Sequence, residues 1–359
     1  MDKHILDIYS DYLISSFSFV TATGLSEALD GSLSHDKVTR FLSADDYDSK
    51  QLWQLVKPTI RQVESEKGVI IFDDVISAKP HTDESELICS HWDHANGRYV
   101  KGMNIVSCLY HDPKTKINIP TAFEPIIKPN LVTDPKTGKI KRKSDLTKNE
   151  RLRRMLDICV YQNHIQFSFI VADVWYASKD NMIHIKQKLN KNFVMPIKTN
   201  RLIAFSKEEK LQGNWQQVQS TDLEAGKAYP VWVKELPFPV LLVKQVFVNE
   251  NDSEGILYLV CSDTNQSSES MLNLYSKRWN IEPQYKSLKS NLGMTKSPTQ
   301  ATRTQQNHVF ACFFAYFKLE KLRLKTNLNH FALKSKLYLK AVQASMNELQ
   351  LFKEQYAFT

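Results

Sequence analysis

The sequence has few cysteines and no long apolar run, and both shortages narrow the class of protein. Its five cysteines are scattered along 359 residues and are never spaced as C-x-x-C. This pattern favours a reducing interior over a disulfide-stabilised secreted fold. The longest apolar run, residues 309–317, is well short of the ~20 residues needed to span a bilayer. No signal peptide, internal repeat or low-complexity segment is visible. We therefore expect a soluble cytoplasmic protein with no membrane partner.

Charge and length give a second, weaker constraint. The formal net charge is +8, which favours a polyanionic partner but also occurs in ordinary enzymes. The length predicts roughly two to three domains with enough material for a sizeable core.

One segment combines side chains that an ordinary helix face does not carry together. Tyr275, Arg278, Glu282 and Lys289 follow one another at spacings of three, four and seven residues. At about 100° per residue, these spacings place all four on one face of a helix over residues 274–292. An acid flanked by cations suits a metal ion beside a phosphate.

Pro283, directly after Glu282, limits this helix. A proline in a helix interior costs about 3 kcal/mol and removes a backbone hydrogen bond. Either the helix kinks there, or it begins there with Pro283 as its first residue. In the second case only Glu282 and Lys289 are certain to share a face.

A metal ion needs further carboxylates, and two apolar strands lead directly into aspartates. Residues 69–72 are followed by Asp73 and Asp74, and residues 167–172 by Asp173. The first pattern predicts Asp73 at the exposed carboxyl end of a strand. Because neighbouring side chains of a strand face opposite ways, only one of the paired aspartates can face the metal.

Together these segments resemble the DDE transposases of bacterial insertion sequences, in particular the insertion-sequence-four-like branch. The marks of that branch are an Asp at a first strand end, Asp-x-x-Tyr after another strand, and Y-x-x-R-x-x-x-E-x-x-x-x-x-x-K. The chain has Asp73, Asp173 with Tyr176, and the helical set described above. Asp73, and not Asp74, aligns with the motif. The resemblance extends over residues 69–292.

The resemblance implies an α/β fold with an RNase-H-like (retroviral integrase-like) catalytic domain. That domain carries a mostly β insertion, and a helical amino-terminal DNA-binding region and a helical carboxyl-terminal part flank it. The expected boundaries are 1–66 for the DNA-binding region, 67–201 and 263–325 for the catalytic domain, 202–262 for the insertion and 326–359 for the carboxyl-terminal segment.

The resemblance also implies the chemistry. Asp73, Asp173 and Glu282 would be the catalytic residues and would bind Mg²⁺, with Mn²⁺ as a substitute. Phosphodiester cleavage of this kind uses two divalent ions about 4 Å apart. Water would free a 3′-hydroxyl at the element end, and this hydroxyl would then attack target DNA. The partner is double-stranded DNA, bound by a homodimer. The other members of the helical set would contact phosphates: Tyr275, Arg278 and Lys289.

Basic residues elsewhere are further candidates for DNA contact. A helix starting after Ser34, with Ser34 as its cap, would turn Lys37 and Arg40 to solvent. Val38, Phe41 and Leu42 would pack against the protein. This pattern suits a helix-turn-helix, although an ordinary helical hairpin explains it equally well.

Residues 135–154 carry nine basic and two acidic side chains. A helix is predicted to begin near Ser144 or Asp145. A solvated surface is the simpler interpretation, but we favour DNA contact for this stretch. The residues concerned are Lys141, Arg142 and Lys143.

The second half of the catalytic pattern predicts strand, helix and strand over residues 167–198, and hence parallel strand pairing. Lys198 and Arg201 at its end are candidates for phosphate contact. Trp232, in the β-rich segment, could stack on a flipped base, but burial is the commoner fate of a tryptophan. Strands are also expected over residues 104–111 and 117–127, and helices from residue 302 onward.

Three alternatives stay open. Cys89, His91, Asp93 and His94 could form a zinc cluster, but the absence of a second ligand pair at finger spacing favours a solvated loop. The acids suit equally a metal-dependent nuclease or resolvase that cuts without strand transfer. A catalytically silent, transposase-derived DNA-binding protein would keep the basic segments and no activity.

Overall fold

A computed structural model describes residues 1–94, 96–135, 138–248 and 252–356 of the chain. The other positions fall after the first strand, in the predicted basic stretch, in the predicted β insertion and at the end of the carboxyl-terminal segment. For those positions the predictions lie outside the described residues. None of the helices in the described ranges is both long and apolar enough to cross a membrane.

The chain divides into two compact units, each assembled from separate stretches of sequence. Unit 1 consists of Met1–Leu55, Ile76–Asn104 and Glu282–Thr359. Unit 2 consists of Val56–Val75 and Ile105–Ile281. The domain boundaries expected from the sequence stay predictions.

The helices of the described residues are, in chain order, α1 (Lys3–Ser15), α2 (Ala22–Ala28), α3 (His35–Ala44), α4 (Ser49–Val63), α5 (Lys148–Asp157), α6 (Lys179–Ile183), α7 (Lys207–Gln212), α8 (Ser268–Ser276), α9 (Ile281–Ser290), α10 (Thr302–Thr326) and α11 (His330–Gln355). Helices α5 and α6 continue as π-helical turns over Ile158–Gln162 and His184–Lys188.

The strands are β1 (Val69–Ala78), β2 (Cys89–Asp93), β3 (Arg98–His111), β4 (Asn118–Pro125), β5 (Asn130–Thr133), β6 (Ile140–Lys143), β7 (Phe169–Ala172), β8 (Asn192–Ile197), β9 (Leu202–Ala204), β10 (Gln216–Gln217), β11 (Ala228–Val233), β12 (Val240–Val248) and β13 (Glu254–Cys261).

Unit 2 is built on a mixed sheet. Within unit 2 its strand order is β10-β9-β11-β12-β13-β8-β7-β1-β3, and β4 also pairs with β3. Residues 98–102 of β3, which belong to unit 1, pair with β2. The three central strands β8, β7 and β1 are parallel, whereas β3 and β4 pair antiparallel, as do the strands from β8 outward to β10. The parallel pairing of β7 and β8 across α6 confirms the strand, helix and strand prediction. The two predicted strands after residue 104 are confirmed as β3 and β4.

The predicted end of the first strand is wrong. β1 runs through both aspartates to Ala78, and Asp73 is largely buried within it instead of lying exposed at its end. The parallel pairing with β7 does stop at Phe72 opposite Ala172. The strand continues because β3 remains its neighbour on the other edge.

In unit 1, the prediction for the third helix is confirmed in its packing. Val38, Phe41 and Leu42 are buried on α3, while Lys37 and Arg40 are exposed. The helix starts directly after Ser34, and Ser34 occupies the N-cap position as predicted, but its side chain makes no capping hydrogen bond among the described residues.

Helix α10 holds the amino-terminal helices through buried polar side chains. Asn307 Nδ2 donates to the carbonyl of Leu42 over 2.8 Å, and its Oδ1 accepts from the amide of Tyr47 over 2.8 Å. The Tyr9 hydroxyl lies 2.9 Å from His308 Nδ1. Since a buried polar group without a partner is costly, these bonds fix the register of packing.

The basic stretch forms a hairpin of β5 and β6 and then α5, in unit 2. The predicted helix start near Ser144 or Asp145 is wrong, because α5 begins at Lys148. Thr147 and Glu150 form a capping box: the Thr147 hydroxyl accepts from the Glu150 amide over 3.2 Å, and Glu150 Oε2 accepts from the Thr147 amide over 2.7 Å. This pair satisfies two backbone amides at the start of α5 that have no partner within the helix.

Candidate active site

Two predicted catalytic aspartates lie side by side on neighbouring parallel strands of unit 2. The last paired residues are Phe72 on β1 and Ala172 on β7. Asp73 and Asp173 are the residues that follow. Neighbouring strands are about 4.8 Å apart, so the register brings these two carboxyl groups to the same level of the sheet. Asp173 also caps the short 3₁₀ turn Val174–Tyr176, since its carboxylate accepts the amide of Val174.

The surroundings of Asp73 disfavour its charged form. Burial, followed by the neighbouring carboxylate of Asp74, raises the pKa of Asp73 to about 7, and Asp173 adds to the effect. The amide of Asp74, which donates to Asp73 Oδ1 over 2.8 Å, and the guanidinium of Arg278, whose Nη1 lies 3.4 Å from Oδ2, act in the opposite direction. Burial and the neighbouring carboxylates therefore outweigh the amide and the guanidinium, which favour the ionised form of Asp73.

Asp74 is engaged by different partners. Lys148 Nζ donates to its Oδ2 over 2.6 Å, and the Tyr176 hydroxyl donates to its Oδ1. Adjacent strand residues face opposite ways, which separates these contacts from those of Asp73. Lys148 was not among the site residues predicted from the sequence. Nothing in the sequence pairs Asp74 with a lysine 74 positions later.

The predicted continuous helix over residues 274–292 is wrong. Helix α8 ends at Ser276, a 3₁₀ turn spans Lys277–Asn280, and α9 begins at Ile281. Pro283 consequently lies in the first turn of α9, where its missing N–H breaks no helical hydrogen bond. Of the two alternatives raised by the proline, the structure is close to the second.

Tyr275 and Arg278 belong to unit 2 and lie close to the aspartates. Both are buried. Burial raises the pKa of Tyr275 to about 12; the nearby Arg278 opposes this effect, and Asp173 and Asp73 add to it. The Arg278 guanidinium carbon lies 6.0 Å from the centre of the Tyr275 ring. Unit 2 thus brings together four predicted site residues: Asp73, Asp173, Tyr275 and Arg278.

Glu282 and Lys289 lie on α9, within unit 1. Glu282 is exposed in the first turn of the helix, and Lys289 is partly buried in its last turn. Burial lowers the pKa of Lys289, and the Asp93 carboxylate opposes that shift. Their spacing of seven residues, two helical turns, keeps them on one face.

The other predicted DNA-contacting residues are spread over the surface. On β6, Lys141 and Lys143 are exposed and Arg142 is half-buried; Lys141 forms an ion pair with Asp134. Arg201 Nη1 lies 3.8 Å from Glu235 Oε2.

Three tryptophans of unit 2 are at least partly exposed, whereas burial was the expected fate of Trp232. Trp232 is half-buried, and Lys210 Nζ lies 3.9 Å from its ring centre, so one ring face is covered. Trp175 and Trp279 are 48% and 56% exposed. Each has a cation at its ring: Lys198 Nζ at 5.0 Å from Trp175 and Arg278 at 4.5 Å from Trp279. Trp175 lies two residues after Asp173 and Trp279 directly after Arg278, so their positions in the sequence could have identified both as candidate site residues.

No three His, Cys, Asp or Glu side chains within the described ranges are grouped so that they could hold a metal ion. In the histidine-rich stretch, Cys89 Sγ lies 3.5 Å from His91 Nε2. Asp73, Asp74 and Asp173 are not such a group, although Asp74 and Asp173 both raise the pKa of Asp73.

Paired carboxylates beside an arginine, on the parallel strands of a mixed α/β sheet, define a candidate site for phosphoryl transfer. Residues 64–318 match the family described as "Transposase DDE domain". This match covers more than half of the chain, which therefore belongs to that family of DNA transposition enzymes. No curated protein matches the chain.

Two solved structures are similar over much of the chain but at low scores. Endonuclease V from Bacillus subtilis is 10% identical, with 65% of this chain and 83% of that chain covered and a TM-score of 0.25. The Drosophila P element transposase strand transfer complex is 9% identical, with 96% and 85% covered and a TM-score of 0.32. Scores this low add nothing to the family assignment.

Proposed function

We propose that the chain is a transposase of the insertion-sequence-four-like branch that cuts DNA at the ends of an insertion sequence and joins the freed 3′-hydroxyls to target DNA. The observation that carries this proposal is the register of β1 and β7, which sets Asp73 and Asp173 side by side directly after the pair Phe72 and Ala172. The Y-x-x-R-x-x-x-E-x-x-x-x-x-x-K pattern supports the branch. The strand order β4-β3-β1-β7-β8, antiparallel and then parallel, suits an RNase-H-like fold.

Asp73, Asp173 and Glu282 are the proposed ligands of Mg²⁺, which Mn²⁺ can replace because all-oxygen sites accept both. The fit rests on the donor chemistry at Asp73: burial, and then the neighbouring carboxylates of Asp74 and Asp173, raise the pKa of Asp73, and a bound cation would stabilise its charged form. When bound, such ions activate the attacking oxygen and stabilise the leaving one.

The remaining side chains act on the DNA itself. Arg278 is placed to exchange its 3.4 Å contact with Asp73 for a DNA phosphate, since a guanidinium can grip two oxygens. Lys289 supplies a point charge, and the Tyr275 hydroxyl donates to a phosphate near the cut. The exposed cations on α3 and β6, with Lys198 and Arg201, bind the duplex backbone. We expect a homodimer on DNA, acting in the cytoplasm on the bacterial nucleoid.

The test is cleavage of a labelled duplex that carries the element's own end, with Mg²⁺ or EDTA. Asp73→Asn, Asp173→Asn and Glu282→Gln should each lower metal-dependent cleavage by at least about a thousandfold while DNA binding persists. Asp74→Asn is the matched control: it has the same chemistry one residue away and should retain most of the activity.

Joining of the cut end to a second duplex separates a transposase from a nuclease without strand transfer. If the parent binds DNA but never cuts, or if Asp74→Asn is as inactive as Asp73→Asn, the proposed assignment of the site is wrong.

A further inference from the structure

Strands β5 and β6 of unit 2 form a two-stranded ribbon that is exposed on both faces. Within the described residues they make a sheet of their own, separate from the mixed sheet. Their antiparallel register pairs Asn130 with Lys143 at one end and Thr133 with Ile140 at the other. Seven of the eight paired residues are exposed, and Arg142 is half-buried. Since a two-stranded hairpin is only marginally stable by itself, a ribbon this exposed is better explained as a binding surface than as part of the core.

The strand pleat gives the ribbon two chemically different faces. Alternate side chains of a strand point to opposite faces, so the cross-strand pairs alternate as well. One face, which we call the apolar face, carries two large aliphatic side chains that are 63% and 71% exposed, with a threonine and an arginine: Leu131, Ile140, Thr133 and Arg142. The opposite face, which we call the lysine face, carries Asn130, Val132, Lys141 and Lys143.

The charge of the ribbon suits an anionic partner. Residues 139–143 include four cations and no acid. The two nearby acids are engaged within the ribbon and its base: Asp134 forms an ion pair with Lys141, and Asp145 Oδ1 accepts from Asn130 Nδ2 over 2.5 Å. Cations are therefore in excess at this surface. Duplex DNA, with one negative charge per about 1.7 Å of helix axis, is complementary to it.

The base of the ribbon is fixed close to the candidate active site. Arg151 Nη2 on α5 donates over 2.8 Å to the hydroxyl of Ser144, the residue that follows β6. On the same helix, Lys148 Nζ donates over 2.6 Å to Asp74 Oδ2, directly beside Asp73. Lys148 lies five residues after the end of β6, which is at most about 18 Å of extended chain, or about half a helical turn of DNA. A duplex held at the aspartates therefore passes within reach of the ribbon.

The shape of the ribbon favours the major groove. This groove is about 12 Å wide and admits a two-stranded β-ribbon, whereas the minor groove is about 6 Å wide. The apolar face carries side chains that distinguish base edges in the major groove. An arginine such as Arg142 can bond O6 and N7 of guanine together, and aliphatic groups such as Leu131 and Ile140 can contact the methyl group of thymine.

We propose that the ribbon enters the major groove of the element-end duplex and reads its sequence beside the bond that is cut. The apolar face lies on the base edges, and Lys141 and Lys143 reach the phosphates on either side of the groove. This inference rests on the proposed function, which supplies the duplex. It extends that function by assigning part of the recognition of the element end to unit 2, the unit that carries the paired aspartates.

The experiment compares binding of the full chain to the element-end duplex and to a scrambled duplex of the same length, by fluorescence anisotropy in EDTA. The ratio of the two dissociation constants measures sequence reading. Arg142→Lys keeps the charge but loses the bidentate geometry, so the ratio should fall about tenfold. Leu131→Ser should lower it about fivefold. Leu211→Ser on α7 is the matched control: Leu211 is 76% exposed against 63% for Leu131, and the ratio should not change.

Two further measurements separate phosphate contact from base contact. Lys143→Ala should weaken binding to both duplexes alike and lower the salt dependence of log affinity by about one unit of slope. Replacing guanine by 7-deazaguanine in the element end removes the N7 acceptor from the major groove, and should weaken the parent more than Arg142→Lys. Inosine lacks the minor-groove amino group of guanine and should affect the two proteins equally. Circular dichroism checks that each variant keeps its secondary structure.

The outcomes distinguish failure of this inference from failure of the proposed function. If the parent cuts the element end while Arg142→Lys and Leu131→Ser keep the full ratio, the ribbon does not read sequence and the proposed function stands. An equal loss in Leu211→Ser, or equal weakening of the parent and Arg142→Lys by 7-deazaguanine, also overturns the inference. A parent that neither binds nor cuts the element end overturns the proposed function itself. If Leu131→Ser loses only sedimentation with anionic lipid vesicles, the ribbon binds a membrane surface instead.

Discussion

Two clusters of largely buried charged side chains, one in each unit, differ in how completely their charges are matched. In unit 1, the buried Glu320 receives Arg323 through two contacts of 3.0 Å, and His330 Nε2 lies 2.9 Å from its Oε1. His330 Nδ1 in turn lies 2.9 Å from the Ser287 hydroxyl.

In unit 2, three aspartates, Asp73, Asp74 and Asp173, are close together, and the pKa of Asp73 is raised. The close pairing of Glu320 with Arg323 suits a part of the protein that joins α9, α10 and α11. Incomplete pairing is compatible with the cation site proposed above for Asp73. The comparison teaches that a buried carboxylate with few cationic partners and a raised pKa, and not burial by itself, distinguishes the candidate active site.

The largest expected effect on stability is in the matched cluster. Glu320→Gln removes the carboxylate that Arg323 and His330 share and leaves the half-buried guanidinium of Arg323 without its counter-ion. We expect the free energy of unfolding to fall by about 3 kcal/mol, measured by urea denaturation. Glu354→Gln, an exposed change on α11, should stay within about 0.5 kcal/mol. Equal effects of the two changes would contradict the distinction between the clusters.

Acid should destabilise unit 1 through the buried histidine His308. Burial lowers the pKa of His308 to about 4, and its hydrogen bond to the Gly293 carbonyl only partly opposes this shift. The unfolded chain, with an ordinary histidine pKa near 6.5, therefore binds the proton first.

Stability contributed by the neutral ring is present above about pH 6.5 and is lost as pH falls towards 4. We expect a loss on the order of 2 kcal/mol between these values. His308→Gln should flatten this part of the pH profile. An unchanged profile in that variant would assign the acid sensitivity to other groups.

In the aspartate cluster of unit 2, by contrast, we expect the loss of a carboxylate to stabilise the folded protein. With its pKa raised to about 7, ionised Asp73 destabilises the folded state above neutral pH. In EDTA at pH 8, Asp73→Asn should therefore be more stable than the parent by about 1 to 2 kcal/mol.

Addition of Mg²⁺ should raise the melting temperature of the parent and not that of Asp73→Asn, since only the parent keeps the ligand. Differential scanning fluorimetry measures both effects. A variant stabilised by Mg²⁺ as much as the parent would exclude Asp73 as a ligand.

The smallest effect concerns the hydroxyl that engages Asp74. Tyr176→Phe removes one donor to a partly buried carboxylate, and we expect a loss of about 1 kcal/mol with cleavage reduced far less than by Asp73→Asn. Tyr161→Phe is the control, because the hydroxyl of this exposed tyrosine donates to the Lys188 carbonyl. A thousandfold loss of cleavage in Tyr176→Phe would give Asp74 a direct part in the chemistry.

More of the sheet than of the candidate active site could be predicted from the sequence. Apolar runs predicted the strands before Asp73 and Asp173 because buried central strands need such runs, and the parallel pairing of β7 and β8 followed from the helix between them. The capping box of Thr147 and Glu150 was also present as a Thr-x-x-Glu pattern. The helix start was instead predicted near Ser144 or Asp145, because both are good caps by residue type alone.

Local sequence by itself determined which stretches form the central strands and the main helices, and it carries the family motifs, because these depend on residues a few positions apart. Only the tertiary structure decided that β1 continues past Asp73, that Lys148 and Tyr176 engage Asp74, and that the pKa of Asp73 rises. Each of these depends on side chains brought together from distant parts of the chain. Burial and charge are properties of that three-dimensional neighbourhood, and no spacing in the sequence specifies them.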